Sequence, residues 1–256
     1  YMLDTSLSDA ERYPLRQKDL MVMALNPFKA PLTCQWGRHS DGINVIRDIP
    51  NIGFSGDFLL RPLFIDKEWR EYDGKVLYVD PSGRGKDETA WSVVGQLGGT
   101  CYLMRLGAVV GDPAVAMGKI AEDAVRYDVH VVEVEPNYGQ GMWVAAFMPI
   151  LRQAYQQAGI KKAVAEGNRA MAKEIAKNAA AGCFVQESEW SHNQKEIRII
   201  TGLEPAITAH RLVVDEDLLR SDLRAEDKDG GRDASYSFLH QLTHITRDRG
   251  SLKHDD

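Results

Sequence analysis

Lys75-Val76-Leu77-Tyr78-Val79-Asp80-Pro81-Ser82-Gly83-Arg84-Gly85-Lys86-Asp87-Glu88-Thr89 decides how the rest of the chain is read. An apolar, β-branched run reads as a buried strand, and it breaks on an aspartate before a glycine-bearing loop. A carboxylate is thereby presented at a strand end, where a metal ligand or an acid/base group would sit. On this stretch alone a second reading stays open, in which Asp80 merely begins the turn at Pro81.

Working downstream, three strands follow closely: Val76 to Asp80, Thr89 to Leu97 and Thr100 to Leu106, with Gly98-Gly99 marking a hairpin. Short connections make them an antiparallel meander. Asp112-Pro113 supplies an N-cap and a first-turn proline for a helix whose apolar face is Met117, Ile120, Ala121 and Ala124. Val129 to Glu135 reads as a fourth strand, again breaking on an acid before the turn Pro136-Asn137-Tyr138-Gly139. A helix is predicted from about Gly141 to Ala158, with Trp143, Ala146, Phe147, Ile150, Leu151 and Ala154 inward and Gly159 stopping it. Lys162 to Ala165 is read as a fifth strand, Asn168 to Ala180 and Gln194 to Thr201 as helices, and Leu212-Val213-Val214 as a short extended run before Asp215. Ala225 to Asp233 reads as a charged loop, and Ser235 to Arg249 as a last helix that Gly250 ends.

Upstream the pattern is poor. Pro14, Pro27, Pro31, Pro50 and Pro62 interrupt residues 1–70, which read as a linker or extended arm rather than a core, with Trp36, Phe54, Phe64 and Trp69 laid against another surface. The expected organisation is therefore an arm over 1–70 and one domain over 71–256. At 256 residues the chain is long enough for a full core, and 44% hydrophobic with 27% charged residues is ordinary for a globular protein. No apolar run reaches membrane-spanning length and the first residues lack a signal-peptide pattern, so no membrane partner and a cytosolic location are expected. Cys34, Cys101 and Cys183 are too few and too scattered for a disulfide framework or a thiolate zinc site. A net charge of −6 argues against a large basic grip on nucleic acid, but not against a nuclease, whose metal-binding acids add negative charge.

This order of elements is an α/β layout in which the first and fourth strands can lie side by side. If they are parallel neighbours, Asp80 and Glu135 emerge at one sheet edge although 55 positions separate them. Two carboxylates with a third acid suit magnesium or manganese, which take oxygen ligands and keep several waters. Two such ions about 3.5–4 Å apart activate a water and stabilise the leaving oxygen of a phosphodiester. His240 and His244 have the i, i+4 spacing of a metal pair but no third ligand nearby, and read as structural. Asp73-Gly74-Lys75 imitates the acid-x-lysine of another nuclease class, yet precedes its strand.

Three motifs, Val79 to Thr89, Glu133-Val134-Glu135-Pro136-Asn137-Tyr138-Gly139 and Leu252-Lys253-His254-Asp255-Asp256, resemble the nuclease domain of the large terminase subunit of T7-like tailed phages. The resemblance extends through Asn51 to Gly56 and from Leu212 to Asp256, and is weakest over Gln156 to Trp190. It implies an RNase H-like mixed sheet, three antiparallel strands followed by alternating helices and parallel strands, flanked by helices. It also implies an endonuclease that cuts concatemeric double-stranded DNA during genome packaging with two Mg2+ or Mn2+ ions. Carried over by motif, the first acid is Asp80, the second Glu135, and the third falls at Asp255 or Asp256. Asp87 is a further candidate metal ligand, His254 a supporting group, and Arg84, Lys86 and Lys253 candidate DNA contacts.

The implied partners are DNA, a portal or procapsid, a small terminase subunit and a packaging ATPase domain, in the host cytoplasm. No GxxxxGK[ST] occurs in this chain, so ATP hydrolysis is not expected of it. Two alternatives share some of these features: an RNase H-like junction resolvase or recombinase, and a non-catalytic module that docks a packaging motor.

Overall fold

The structure, a computed structural model, describes residues 12–82, 88–136, 141–178, 182–189, 193–228 and 234–252. The chain divides into two compact units, one of Tyr72–Gly95 and Arg105–Trp190, the other of Tyr1–Glu71, Gln96–Met104 and Ser191–Asp256.

In the first of these, strands Phe184–Glu187, Val131–Val134, Gly74–Asp80 and Glu88–Leu97 are successive neighbours, and Thr100–Val110 follows. The last two strands also contribute residues to the other unit. They are joined by the expected two-residue turn, with Gly98 and Gly99 at φ +56° and +81°, backbone that only glycine adopts freely. Along Gly74–Asp80, Lys75, Leu77 and Val79 are buried while Val76, Tyr78 and Asp80 are half-buried. A slip of one residue would expose Leu77 and Val79, each worth about 1.5–3 kcal/mol when buried, and turn Asp80 into the core. The apolar alternation therefore fixes which way the carboxylate faces.

Helix Pro113–Tyr127 begins as the sequence predicts: the Asp112 carboxylate accepts from the Ala114 N–H at 2.9 Å, and the left-handed Asp128 closes the other end. Its face of Met117, Ile120, Ala121 and Ala124 is buried. The buried Lys75 donates to the Tyr127 carbonyl at 2.7 Å, so a strand cation caps the negative end of this helix. Lys75 thus lies within its strand, contrary to the sequence reading of Asp73-Gly74-Lys75, and does structural work.

Several boundaries differ from expectation. Helix Met142–Ala165 runs straight through Gly159 and absorbs the predicted fifth strand at 162–165. Gly159 instead lets a neighbour come close: a methyl group there would stand 3.3 Å from Ile175 of helix Arg169–Lys177. The actual stop is Gly167, at φ +74°, with the Asn168 N–H reaching the Ala163 carbonyl at 2.8 Å. Within this helix Trp143, Phe147 and Leu151 are buried as read, whereas Ala146 is exposed. The fifth strand is Phe184–Glu187, parallel to Val131–Val134.

In the other unit the strand order is Thr100–Val110, Leu212–Asp215, Met21–Met23, Leu59–Leu60, Val45–Ile46. Met21–Met23 runs parallel to Leu212–Asp215, and Leu20, Val22, Leu60, Val213 and Val214 are wholly buried. Described residues between 12 and 70, expected to form an arm, thus include buried strands. Their strands are two or three residues long, too short to show a period. Helices Lys195–Thr208, Glu216–Lys228 and Phe238–His244 complete the unit. The predicted loop at 225–233 is helical to Lys228. The last helix ends at His244, because Ile245 turns extended. No described helix is long and apolar enough to cross a membrane.

Candidate functional site

Strands Gly74–Asp80 and Val131–Val134 are parallel neighbours, with Val76 opposite Val131 and Val79 opposite Val134. Pairing continues one residue further, since the Glu135 N–H donates to the Val79 carbonyl at 2.9 Å. Asp80 and Glu135 consequently stand side by side at the carboxyl ends of adjacent strands, which lie about 4.8 Å apart. Two residues beyond the opposed pair Tyr78 and Glu133, they also share a face. Glu135 is only 7% exposed and Asp80 is half-buried.

Like charges so placed repel each other. A hard divalent cation relieves that repulsion by taking an oxygen from each. The donor set present therefore fits magnesium or manganese better than a soft metal.

Neighbouring acids are engaged differently. Glu133 accepts from the Gln186 amide at 2.8 Å across the sheet. Asp123 accepts from the Trp91 indole at 2.8 Å and from Arg105 at 3.0 Å. In the other unit Asp215 also ends a buried parallel strand, but its two oxygens accept from the Leu25 and Leu218 N–H groups at 2.8 and 3.1 Å. Sequence reasoning did not find these engagements, because each partner is distant in the chain or provides only a backbone N–H.

The stretch after Asp80 is tied at its base, where the Ser82 N–H donates to the Thr89 hydroxyl at 3.1 Å and the two hydroxyls lie 3.1 Å apart. Arg84, Lys86 and Asp87 lie outside the described residues, as do Lys253, His254, Asp255 and Asp256. Of the proposed ligands, the structure thus brings together Asp80 and Glu135. Among the described residues no group of three His, Cys, Asp or Glu side chains is arranged to hold a metal ion. His240 and His244 stack face to face at 4.0 Å, with the His244 Nδ1 against the His240 carbonyl at 2.9 Å, in keeping with a structural role.

The segment leading to residue 253 is held to helix Lys195–Thr208. Glu196 accepts from the Gly250 N–H, Arg247 pairs with Glu204 at 2.8 Å, and the Gln194 amide donates to the Arg247 carbonyl at 3.2 Å. Burial works to raise the Glu196 carboxyl, but hydrogen bonds from its own N–H and from Gly250 hold it below the usual carboxylate range.

Residues 79–212 match the family model of the bacteriophage T7 terminase Ribonuclease H-like domain. The match runs through 156–190, where the sequence reading found least likeness. The large terminase subunit of Enterobacteria phage T3 is 34% identical over the whole of this chain, which spans 39% of that subunit's length. The manganese-soaked nuclease domain of human cytomegalovirus terminase overlaps 67% of this chain and 81% of its own, at 12% identity and a TM-score of 0.37. The large terminase of a thermophilic bacteriophage overlaps 69% of this chain and 39% of its own, at 12% identity and a TM-score of 0.36. Both structural overlaps are slight.

Proposed function

This chain belongs to the T7-type terminase family through its RNase H-like domain, and we propose that it is a divalent-metal-dependent endonuclease that cleaves double-stranded viral DNA during genome packaging. The observation that carries the proposal is the parallel register of Val79 with Val134, which sets Asp80 beside Glu135 at one strand edge.

In this reading Asp80 and Glu135 hold the metal, with Asp255 or Asp256 as the third acid and Asp87 as a further ligand. Two Mg2+ or Mn2+ ions, when bound, supply a water activated for attack and charge to offset the leaving oxygen. The half-buried Asp80 and buried Glu135 keep their oxygens aimed by the strands that carry them, so little reorganisation is needed on binding. His254 assists proton movement, and Arg84, Lys86 and Lys253 contact phosphate, which makes recognition largely independent of sequence. Residues 1–70 are proposed as the segment that follows a packaging ATPase domain, and 71–256 as the nuclease. Its partners are then that ATPase domain, the small terminase subunit and the portal or procapsid, in the host cytoplasm.

The test is nicking and linearisation of supercoiled plasmid by the purified chain in Mn2+ or Mg2+, beside a four-way junction in competition. Cleavage of the linear duplex at least as fast as the junction is expected. Strong junction preference would move the reading to a resolvase, and no cleavage in either metal would leave a motor-docking module.

A further inference from the structure

We propose that the exposed stripe Arg169, Lys173 and Lys177 is a docking surface for the sugar-phosphate backbone of double-stranded DNA; this rests on the nuclease reading and adds a second place of contact to it. The three residues recur at i, i+4 and i+8 on helix Arg169–Lys177, so they drift by only about 40° per step and lie about 6 Å apart along the axis. All three are exposed, and among the described residues none forms an ion pair through its side chain. Elsewhere Arg16, Arg61, Arg105, Arg220 and Arg247 are each paired with an acid. The chain is acidic overall, yet residues 161–177 hold five basic groups (Lys161, Lys162, Arg169, Lys173, Lys177) against two acids (Glu166, Glu174), a local excess of three.

Helix stability does not account for this placement. Arg169 occupies the first turn, where a cation opposes the helix dipole. At the other end the Gln156 amide already takes the Ala176 carbonyl at 2.8 Å and the Ile175 carbonyl at 3.3 Å, so Lys177 is not needed as a cap. Ile175, on the opposite side of the helix, meets Gly159 of the preceding helix, and Ala172 beside it is buried. That close approach fixes the stripe on a firm support. Ala170 and Ala176 flank it, so short side chains leave the charges free to meet a rod of phosphates. A surface of this kind gives affinity without sequence preference.

The experiment measures binding of a labelled duplex by fluorescence anisotropy in EDTA, over a range of salt concentrations, with plasmid cleavage assayed in parallel in Mn2+. R169Q/K173Q/K177Q is compared with wild type and with K29Q/K67Q/K119Q, which removes the same charge from exposed positions elsewhere. The stripe variant should lower the slope of log affinity against log salt by about 2–3. Its binding should weaken about tenfold or more near physiological salt, equally for two unrelated sequences, while the control variant keeps the wild-type slope. An unchanged slope in the stripe variant, or an equal loss in the control, overturns the proposal while wild-type cleavage leaves the nuclease reading standing. A wild type that neither binds nor cuts duplex removes both.

Discussion

Leu77-Tyr78-Val79-Asp80 and Leu212-Val213-Val214-Asp215 are nearly the same sentence written twice: an apolar parallel strand that ends on an aspartate. Their surroundings make them different residues. Both oxygens of Asp215 are occupied by backbone N–H groups, so its charge is spent on holding the chain before the helix Glu216–Lys228 and on fixing Leu25. Asp80 has a second acid, Glu135, at the adjoining strand end. The first arrangement holds the chain in place, whereas the second gathers two carboxylates at one edge. An acid at a strand end is therefore informative only once its neighbour across the sheet is known.

The comparison breaks most visibly in activity. Alanine at Asp80 or Glu135 should reduce plasmid cleavage in Mn2+ by about a thousandfold or more per folded molecule. Retained cleavage in a clean preparation would place the metal elsewhere. Metal addition sharpens the same contrast: Mn2+ at about a hundred times its Kd should stabilise the wild type by about 2.7 kcal/mol in thermal unfolding, and a D80N/E135Q double variant should lose that gain. A D215N variant should keep it.

At the other aspartate the effect should appear in stability. D215A leaves two N–H groups without their acceptor and should cost about 2–3 kcal/mol in urea unfolding, with cleavage per folded molecule unchanged. A fall in activity without a fall in stability would give Asp215 a part in the chemistry. Lys75→Met removes the cation that caps helix Pro113–Tyr127 and should cost about 1–3 kcal/mol by the same measurement, again without loss of cleavage below the midpoint.

A pair of glycine changes closes the series, and one of them should have the smallest effect of all. A methyl group at Gly182 would enter the Tyr155 ring, so Gly182→Ala should cost about 1–3 kcal/mol by overpacking beside strand Phe184–Glu187. Gly159→Ala brings a methyl group to 3.3 Å from Ile175 Cγ2, a crowding offset by the gain in helix propensity, which leaves it within about 0.5 kcal/mol of wild type.

What was legible in the sequence is what local rules encode. Alternation in Val76 to Asp80, the Gly98-Gly99 turn and the Asp112-Pro113 cap were all readable because each signal lies within a few residues of the structure it specifies. Adjacency of Asp80 and Glu135 could be framed as a condition on strand order, which the register then met. Illegible were features made by distant partners. Gly159 reads as a stop until Ile175 is seen against it, and Phe184–Glu187 is a solvent-exposed edge strand without an apolar run. The buried strands Met21–Met23 and Leu59–Leu60 are so short that their burial depends on what packs over them.

The bond between Ser82 and Thr89 has a consequence for how such a site can change over generations. Six residues separate its two ends, and Thr89 already belongs to strand Glu88–Leu97. A change of residue between Ser82 and Thr89 leaves this tie in place, so selection can act on Arg84, Lys86 and Asp87 for substrate handling while the Ser82–Thr89 bond holds the acid-bearing edge.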